Sequence, residues 1–120
     1  MTQAGTRGYG VIYDPDAVVG LLAMRSRDEH RALLNAVRKL GELGNQLRPP
    51  HMKPLKGDRT ATLHELRPRQ GRSDWRAIYR RAGDFHVILA IDRHKDYDVL
   101  IERARARAEQ YDRPLKVDQP

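Results

Sequence analysis

The apolar positions of the chain switch between two periods. In "YGVIYD", residues 9–14, Val, Ile and Tyr alternate weakly with other residues, as in a strand. Asp14 and Pro15 then supply an N-cap and a residue preset for a first helical turn, and Val18, Val19, Leu22 and Met24 would give a short helix its apolar face. In "SRDEHRALLNAVRKLGELG", residues 26–44, Ser26 and Glu29 stand at capping-box spacing, and Leu33, Leu34, Val37, Leu40 and Leu43 recur along one helical stripe. Gly44 is suited to end this helix. Three prolines in "LRPPHMKPLKGDRT" forbid its continuation and predict a long loop carrying Arg48, Lys53, Lys56 and Arg59.

Period 2 then returns. Residues 62–67 and 74–81 read as strands flanking a polar turn at 70–73, and "AGD" at 82–84 is a tight-turn signal leading into the apolar run "HVILAI", residues 86–91. In that run Val87, Leu89 and Ile91 would face one side and Ile88 and Ala90 the other, so the strand should be central. Asp96 or Asp98 can cap a last helix running to about Tyr111. The element order predicts an α+β fold: a small, mostly antiparallel twisted sheet with two N-terminal helices on one face, and a C-terminal helix. The second face can stay open to solvent. On residues 74–81, Trp75, Ala77 and Tyr79 would then feed the core, while Arg76, Ile78 and Arg80 lie opposite, with guanidinium groups displayed on a rigid platform.

Composition narrows the class. With 120 residues, 39% of them apolar, the chain can fill one modest core, predicting a single domain over 9–113 with a flexible N-terminus at 1–8 and a tail at 114–120. The lack of cysteine removes disulfides and thiolate chemistry, and no apolar run reaches bilayer length; a cytoplasmic protein without membrane contact is expected. The net charge of +7 is localised: residues 46–81 hold 10 basic against 3 acidic groups, whereas the flanking segments are nearly balanced. Such a basic block is the electrostatic footprint expected for a polyanion.

The words "LHELRP", "WRAIYR", "HVILAI" and "DRHKDYDVLIERA", in this order, resemble the RelE/HigB superfamily of type II toxin–antitoxin toxins, in particular its phage-derived HigB-like branch. The resemblance covers about residues 9–111. It implies an endoribonuclease, an mRNA interferase that cuts messenger RNA on the ribosome, and a cognate antitoxin partner, often a helix-turn-helix protein. The family's basic strand positions match Arg67 and Arg76, and its basic run after the last strand matches Arg93, His94 and Lys95. Where relatives carry a tyrosine early in the last helix this chain has Leu100, with Tyr97 about one helical turn earlier, and where the HigB-like branch has tyrosine it has His64.

Metal-free RNA cleavage uses the neighbouring 2′-hydroxyl as nucleophile, so it needs proton transfer and cations that stabilise the phosphorane. Arg67 and Arg76 suit the second task, since a guanidinium stays charged and grips phosphate with a fork of donors. His94 suits the first, because imidazole titrates nearest neutral pH, and Tyr97 could stack on a base or assist. Lys53, Lys56, Arg69, Arg72, Arg93, Lys95 and His64 are candidate RNA contacts. The basic run Arg103–Arg107, interleaved with acids, reads as a solvated helix face. No metal-ligand spacing and no cofactor motif is present. Two other readings stay open: a gyrase inhibitor of ParE type with the same chain order, and a nucleic-acid-binding module without catalysis.

Overall fold

The computed structural model describes residues 10–55 and 62–112; the expected N-terminal segment 1–8 and tail 114–120 lie outside them, as does Lys56. The elements are β1 (Gly10–Tyr13), α1 (Pro15–Ala23), α2 (Arg27–Leu43), β2 (Met52–Pro54), β3 (His64–Leu66), β4 (Trp75–Ala82), β5 (Phe85–Arg93) and α3 (Tyr97–Asp112), with short 3-10 turns at Gly44–Gln46, Pro68–Gly71 and His94–Asp96. Five strands form one sheet in the order β1-β5-β4-β3-β2. All neighbours are antiparallel except β1, which runs parallel to β5. The expected α+β architecture and the central place of β5 are borne out. The short strand β2, inside the expected loop, was not legible from its three residues.

The caps of the two N-terminal helices form where the sequence placed them. The Asp14 carboxylate accepts from the Asp16 N–H at 2.9 Å, and Ser26 Oγ accepts from the Glu29 N–H at 3.2 Å. On α2 the buried positions are Leu33, Val37 and Leu40, while Leu34 and Leu43 at the edges of the stripe stay partly exposed. On α1 the expected face is reversed except at Met24, which is buried as expected. Ala17 and Gly20 are buried, whereas Val18, Val19 and Leu22 are exposed. Gly20 explains this: a Cβ there would lie 2.2 Å from the Ile91 carbonyl oxygen, so the small side of α1 alone can approach β5.

The second face of the sheet is not open. Leu100, Ala104 and Ala108 of α3 pack on Leu63, Ile78, Val87, Leu89 and Ala90, forming a second core opposite that of α1 and α2. The molecule is therefore three layers, helices on both sides of the sheet. The stripe at i, i+4 and i+8 is mostly alanine, which is why it reads faintly in sequence yet allows close packing.

The facing of β5 also departs from strict alternation. Ile78 pairs with Ala90 and Tyr79 with Ile88, leaving Leu89 as an extra residue. This bulge puts Leu89 and Ala90 together under α3, and Ile88 and Ile91 together under α1 and α2. The β4–β5 turn is tight, as expected, with Gly83 at φ 64°.

α3 is fixed by ion pairs as well as by its alanines. Arg107 Nε and Nη2 donate to the two carboxylate oxygens of Asp14 at 2.8 and 3.1 Å, and the Tyr111 hydroxyl donates to the same carboxylate at 2.7 Å. Arg103 bridges Asp16 at 3.0 Å and Asp92 at 2.9 Å. Arg103 and Arg107 are thus anchors rather than a solvated basic face.

Candidate nucleic-acid interface and acid–base cluster

The register brings the end of β3, the start of β4 and the end of β5 to one end of the sheet: Leu66 pairs with Ala77 and Trp75 with Arg93. The loop between β3 and β4 and the turn after β5 therefore lie side by side. The His94 N–H donates to the Asp74 carbonyl at 2.7 Å, which closes them together. This end carries Arg67, Arg69, Arg72, Arg93, His94, Lys95 and Tyr97, seven of the sequence-predicted site residues.

At its centre is a residue the sequence reading passed over. Glu65 is buried, and its carboxylate accepts from Arg76 Nε at 2.8 Å through one oxygen and from the Tyr97 hydroxyl at 2.8 Å through the other. Arg67 Nε lies 3.8 Å from the Arg76-bound oxygen. Burial, then the hydrogen bond to Glu65 and its charge, push the Tyr97 phenol well above the usual tyrosine range, against the opposing pull of Arg76 and Arg67. Tyr97 is accordingly a proton-holding donor. His94 is exposed, and its ring lies 5.6 Å from that of Tyr97. Glu65 stands inside the word "LHELRP" that carries the resemblance, and it is the single acid between Asp58 and Asp74.

Arg76 is not displayed to solvent, as its strand position had suggested, because α3 covers that face. Its side chain is 5% exposed. Nη1 donates to the carbonyls of Ser73 at 2.6 Å and Trp75 at 2.9 Å, and Nη2 to that of Gly71 at 3.0 Å. With Nε on Glu65, four of the five guanidinium N–H groups are engaged, leaving no free fork for a phosphate. Arg76 is a positioning residue that ties the 68–73 loop to Glu65.

That loop adopts a conformation most residues avoid. Arg69, Gln70 and Gly71 follow one another at φ 57°, 60° and 95°. Non-glycine residues in this region each carry backbone strain, so the surroundings must enforce it. Arg76 does so from beneath, and Ser73 does so laterally, its hydroxyl donating to Glu29 of α2 at 2.6 Å. Gly71 is required by its φ of 95°, whereas the Arg67 Nη2 that a Cβ would meet at 2.7 Å is the end of a flexible side chain that can move aside. The result exposes the side chains of Arg69 and Arg72. Arg93 is exposed too, with its guanidinium 5.6 Å from the centre of the Trp75 ring.

Two clefts flank the cluster. One, of about 320 Å³, lies between α2 and the 68–72 loop and has Arg67 in its wall. The other, of about 620 Å³, lies between β2 and α3, lined by Lys53, Leu55, Tyr97 and Ile101 among others. Lys53 pairs with Glu65 across the strands and shares its face, so it joins the site. His64 does not. It sits on the opposite face, stacked on Tyr79 at 5.2 Å, and burial lowers its pKa. Among the described residues no group of three or more His, Cys, Asp or Glu side chains could hold a metal ion, and no helix is long and apolar enough to cross a membrane.

Comparison with known proteins adds the ancestry. The family model described as "Phage derived protein Gp49-like (DUF891)" matches residues 21–109. The chain belongs to this phage-derived Gp49-like family. Among solved structures, the YoeB/ParE toxin from Agrobacterium tumefaciens superposes with a TM-score of 0.54 at 16% identity, over 71% of this chain and 98% of that one. A chain of the archaeal RelE–RelB complex from Pyrococcus horikoshii gives 0.51 at 24% identity, over 72% and 94%. The toxin–antitoxin complex RelBE2 from Mycobacterium tuberculosis matches at 26% identity over 74% and 94%, with a TM-score of 0.47. No curated protein sequence gives a significant match. The phage-derived branch and the fold of the RelE and ParE toxins, both expected from the sequence words, are borne out.

Proposed function

We propose that this Gp49-like protein is the toxin of a toxin–antitoxin pair, an endoribonuclease that cleaves messenger RNA on the ribosome without a metal ion. One observation carries the reading: an exposed imidazole, His94, stands against Tyr97 of the Glu65 cluster, at a sheet end crowded with exposed cations. Membership of a phage-derived family and a fold shared with the YoeB/ParE and RelE toxins support it.

In this reading the 2′-oxygen attacks phosphorus and the 5′-oxygen leaves, giving a cyclic phosphate and a free 5′-hydroxyl. His94 takes the proton of the 2′-hydroxyl and delivers one to the leaving 5′-oxygen. Arg67, whose Nε is buried with no hydrogen-bond partner among the described residues, supplies charge to the phosphorane together with the exposed Arg93 and Lys95. Losing one such donor costs about 3 kcal/mol, roughly a hundredfold in rate. Arg69, Arg72 and Lys53 hold the flanking strand, and Arg76 keeps Glu65 and the loop in place. A cognate antitoxin of helix-turn-helix type, encoded beside the toxin, would be the protein partner.

Induced expression in bacteria with mapping of messenger RNA ends tests the reading. Growth arrest with new ends inside translated codons is the expected result. Arrest with intact messages and gyrase trapped on DNA would overturn it in favour of a ParE-type inhibitor.

A further inference from the structure

On α2, residues 28, 31, 32, 35, 36 and 39 recur at helical spacing and line the cleft facing the 68–72 loop, beside the core stripe of Leu33, Val37 and Leu40. This second stripe has its own chemistry. Ala32 and Ala36 are small and, with Leu66 and Leu47, form an apolar floor. Asn35 and Gln70 offer amide donors and acceptors at the sides. Lys39, Arg31, Arg69 and Arg72 supply cations, with Asp28 the single acid among the described lining residues.

The cleft is built in advance. Its outer wall is the left-handed Arg69–Gln70 segment, which Arg76 and the Ser73–Glu29 hydrogen bond hold in place. Its volume of about 320 Å³ lies within the size range of small-ligand sites. Apolar residues, amides and cations brought together around one cleft match a nucleotide: base inside, phosphate outside.

We propose that the cleft between α2 and the 68–72 loop is a nucleotide subsite, which seats one base of a single-stranded RNA over Ala32, Ala36 and Leu66 and its phosphate on Lys39, Arg69 and Arg72. The proposal rests on the RNA-cleavage reading for its role. Arg67 lines this cleft and also approaches Glu65, so a base seated here is next but one group from the acid–base cluster. The subsite then sets which base is accepted on one side of the cut.

The test uses the full chain labelled with ¹⁵N and titrated with each of the four ribonucleoside 5′-monophosphates and with inorganic phosphate, reading amide shifts. At least one nucleotide should give saturable shifts at Ala32, Asn35, Ala36 and Gln70. Lys39→Gln, on an exposed helix position, should weaken that binding about tenfold, the effect of removing one charge-assisted contact. Ala32→Leu should fill the cleft and abolish the shifts at unchanged melting temperature. No shift at these amides with any nucleotide overturns the proposal, as does an equal response to phosphate alone, which would leave the base outside. The titration needs neither ribosome nor cleavage, so it reads the cleft even if messenger RNA stays intact on induction. If messages are cut, Ala32→Leu should alter base preference at one fixed position beside the cleaved bond, and an unchanged preference would overturn the subsite while leaving the nuclease reading standing.

Discussion

Tyr97 and Glu65 stand 32 residues apart in sequence and share a 2.8 Å hydrogen bond, with Tyr97 donating. The bond joins the first turn of α3 to the middle of β3, so the same contact that orders the cluster also fixes the start of the last helix. Tyr97→Phe keeps the ring and removes the donor. We expect folding stability to fall by about 1.5–3 kcal/mol, the range for a bond to a charged group, since the buried Glu65 carboxylate loses one of its donors, while activity falls further still. Because its folded-state pKa is raised, Tyr97 contributes stability that is present below the unfolded tyrosine value near 10 and is lost as pH rises beyond it. Alkaline melting curves of parent and Tyr97→Phe should therefore converge above that pH.

Arg76 and Glu65 form a buried ion pair at 2.8 Å. Removing one partner strands the other's charge in the interior, which costs about 3–5 kcal/mol. Arg76→Ala should accordingly lower the denaturation midpoint by far more than a surface substitution, and its loss of activity would report the loop and not chemistry. Pairing it with Glu65→Gln removes the stranded carboxylate and should recover part of the stability but none of the activity. Additive losses in the double variant would contradict the coupling.

Much of this architecture was readable in the chain, and the failures share a cause. The α2 stripe, its Ser26 cap and the Gly83 turn were legible because each is a local pattern of residues a few positions apart. Arg76 misled because its burial depends on α3, whose packing residues Ala104 and Ala108 are weakly hydrophobic and more than 25 positions downstream. The Leu89 bulge breaks the alternation from which facing was inferred, and nothing in "HVILAI" marks it. The candidate site divides the same way. Exposed Arg69, Arg72, Arg93 and His94 fell together because consecutive strands bring their ends together, whereas Glu65 acquires its meaning only from partners on β4 and α3.

The carboxylate of Asp14 is fully buried. Burial alone would raise its pKa, but hydrogen bonds from Arg107, the Asp16 N–H and Tyr111 outweigh this and hold it below the usual aspartate value. The stability it contributes is thus present above the unfolded aspartate pKa and lost as pH falls through its depressed folded value. Asp14→Asn should loosen the far end of α3, seen as faster amide exchange over its last turns. The stability difference from the parent should shrink progressively as the solution is acidified below pH of about 4. A difference that persists undiminished in acid would show that the carboxylate charge is not what holds the helix.

His94 is exposed in the turn that follows β5. Truncating it removes little packing, so His94→Ala should melt within about 0.5 kcal/mol of the parent. Messenger RNA cleavage should fall by about a hundredfold or more, the typical contribution of a positioned proton-transfer group. Full cleavage by a normally folded His94→Ala would remove this imidazole from the mechanism and shift the search to Tyr97.

The cations at the sheet end can be separated by the salt dependence of RNA binding. Neutralising a phosphate releases a counterion, so affinity for a single strand falls with salt at a slope of about −0.7 per phosphate contact. Arg69→Gln, Arg72→Gln, Arg93→Gln and Lys95→Gln should each make the slope shallower by about that amount wherever the residue meets a phosphate. Arg38→Gln is the control, since Arg38 is exposed on α2 and ion-paired to Glu42 at 3.2 Å. It should leave the slope unchanged. Measured on one labelled oligoribonucleotide across a salt series, equal slopes for parent and all four variants would mean that the strand runs elsewhere. A smaller slope for Arg38→Gln as well would mean that only net charge is being sensed. If Arg69 and Arg72 change the slope while Arg93 and Lys95 do not, the strand enters by the α2 cleft and leaves the turn after β5 to the reacting phosphate alone.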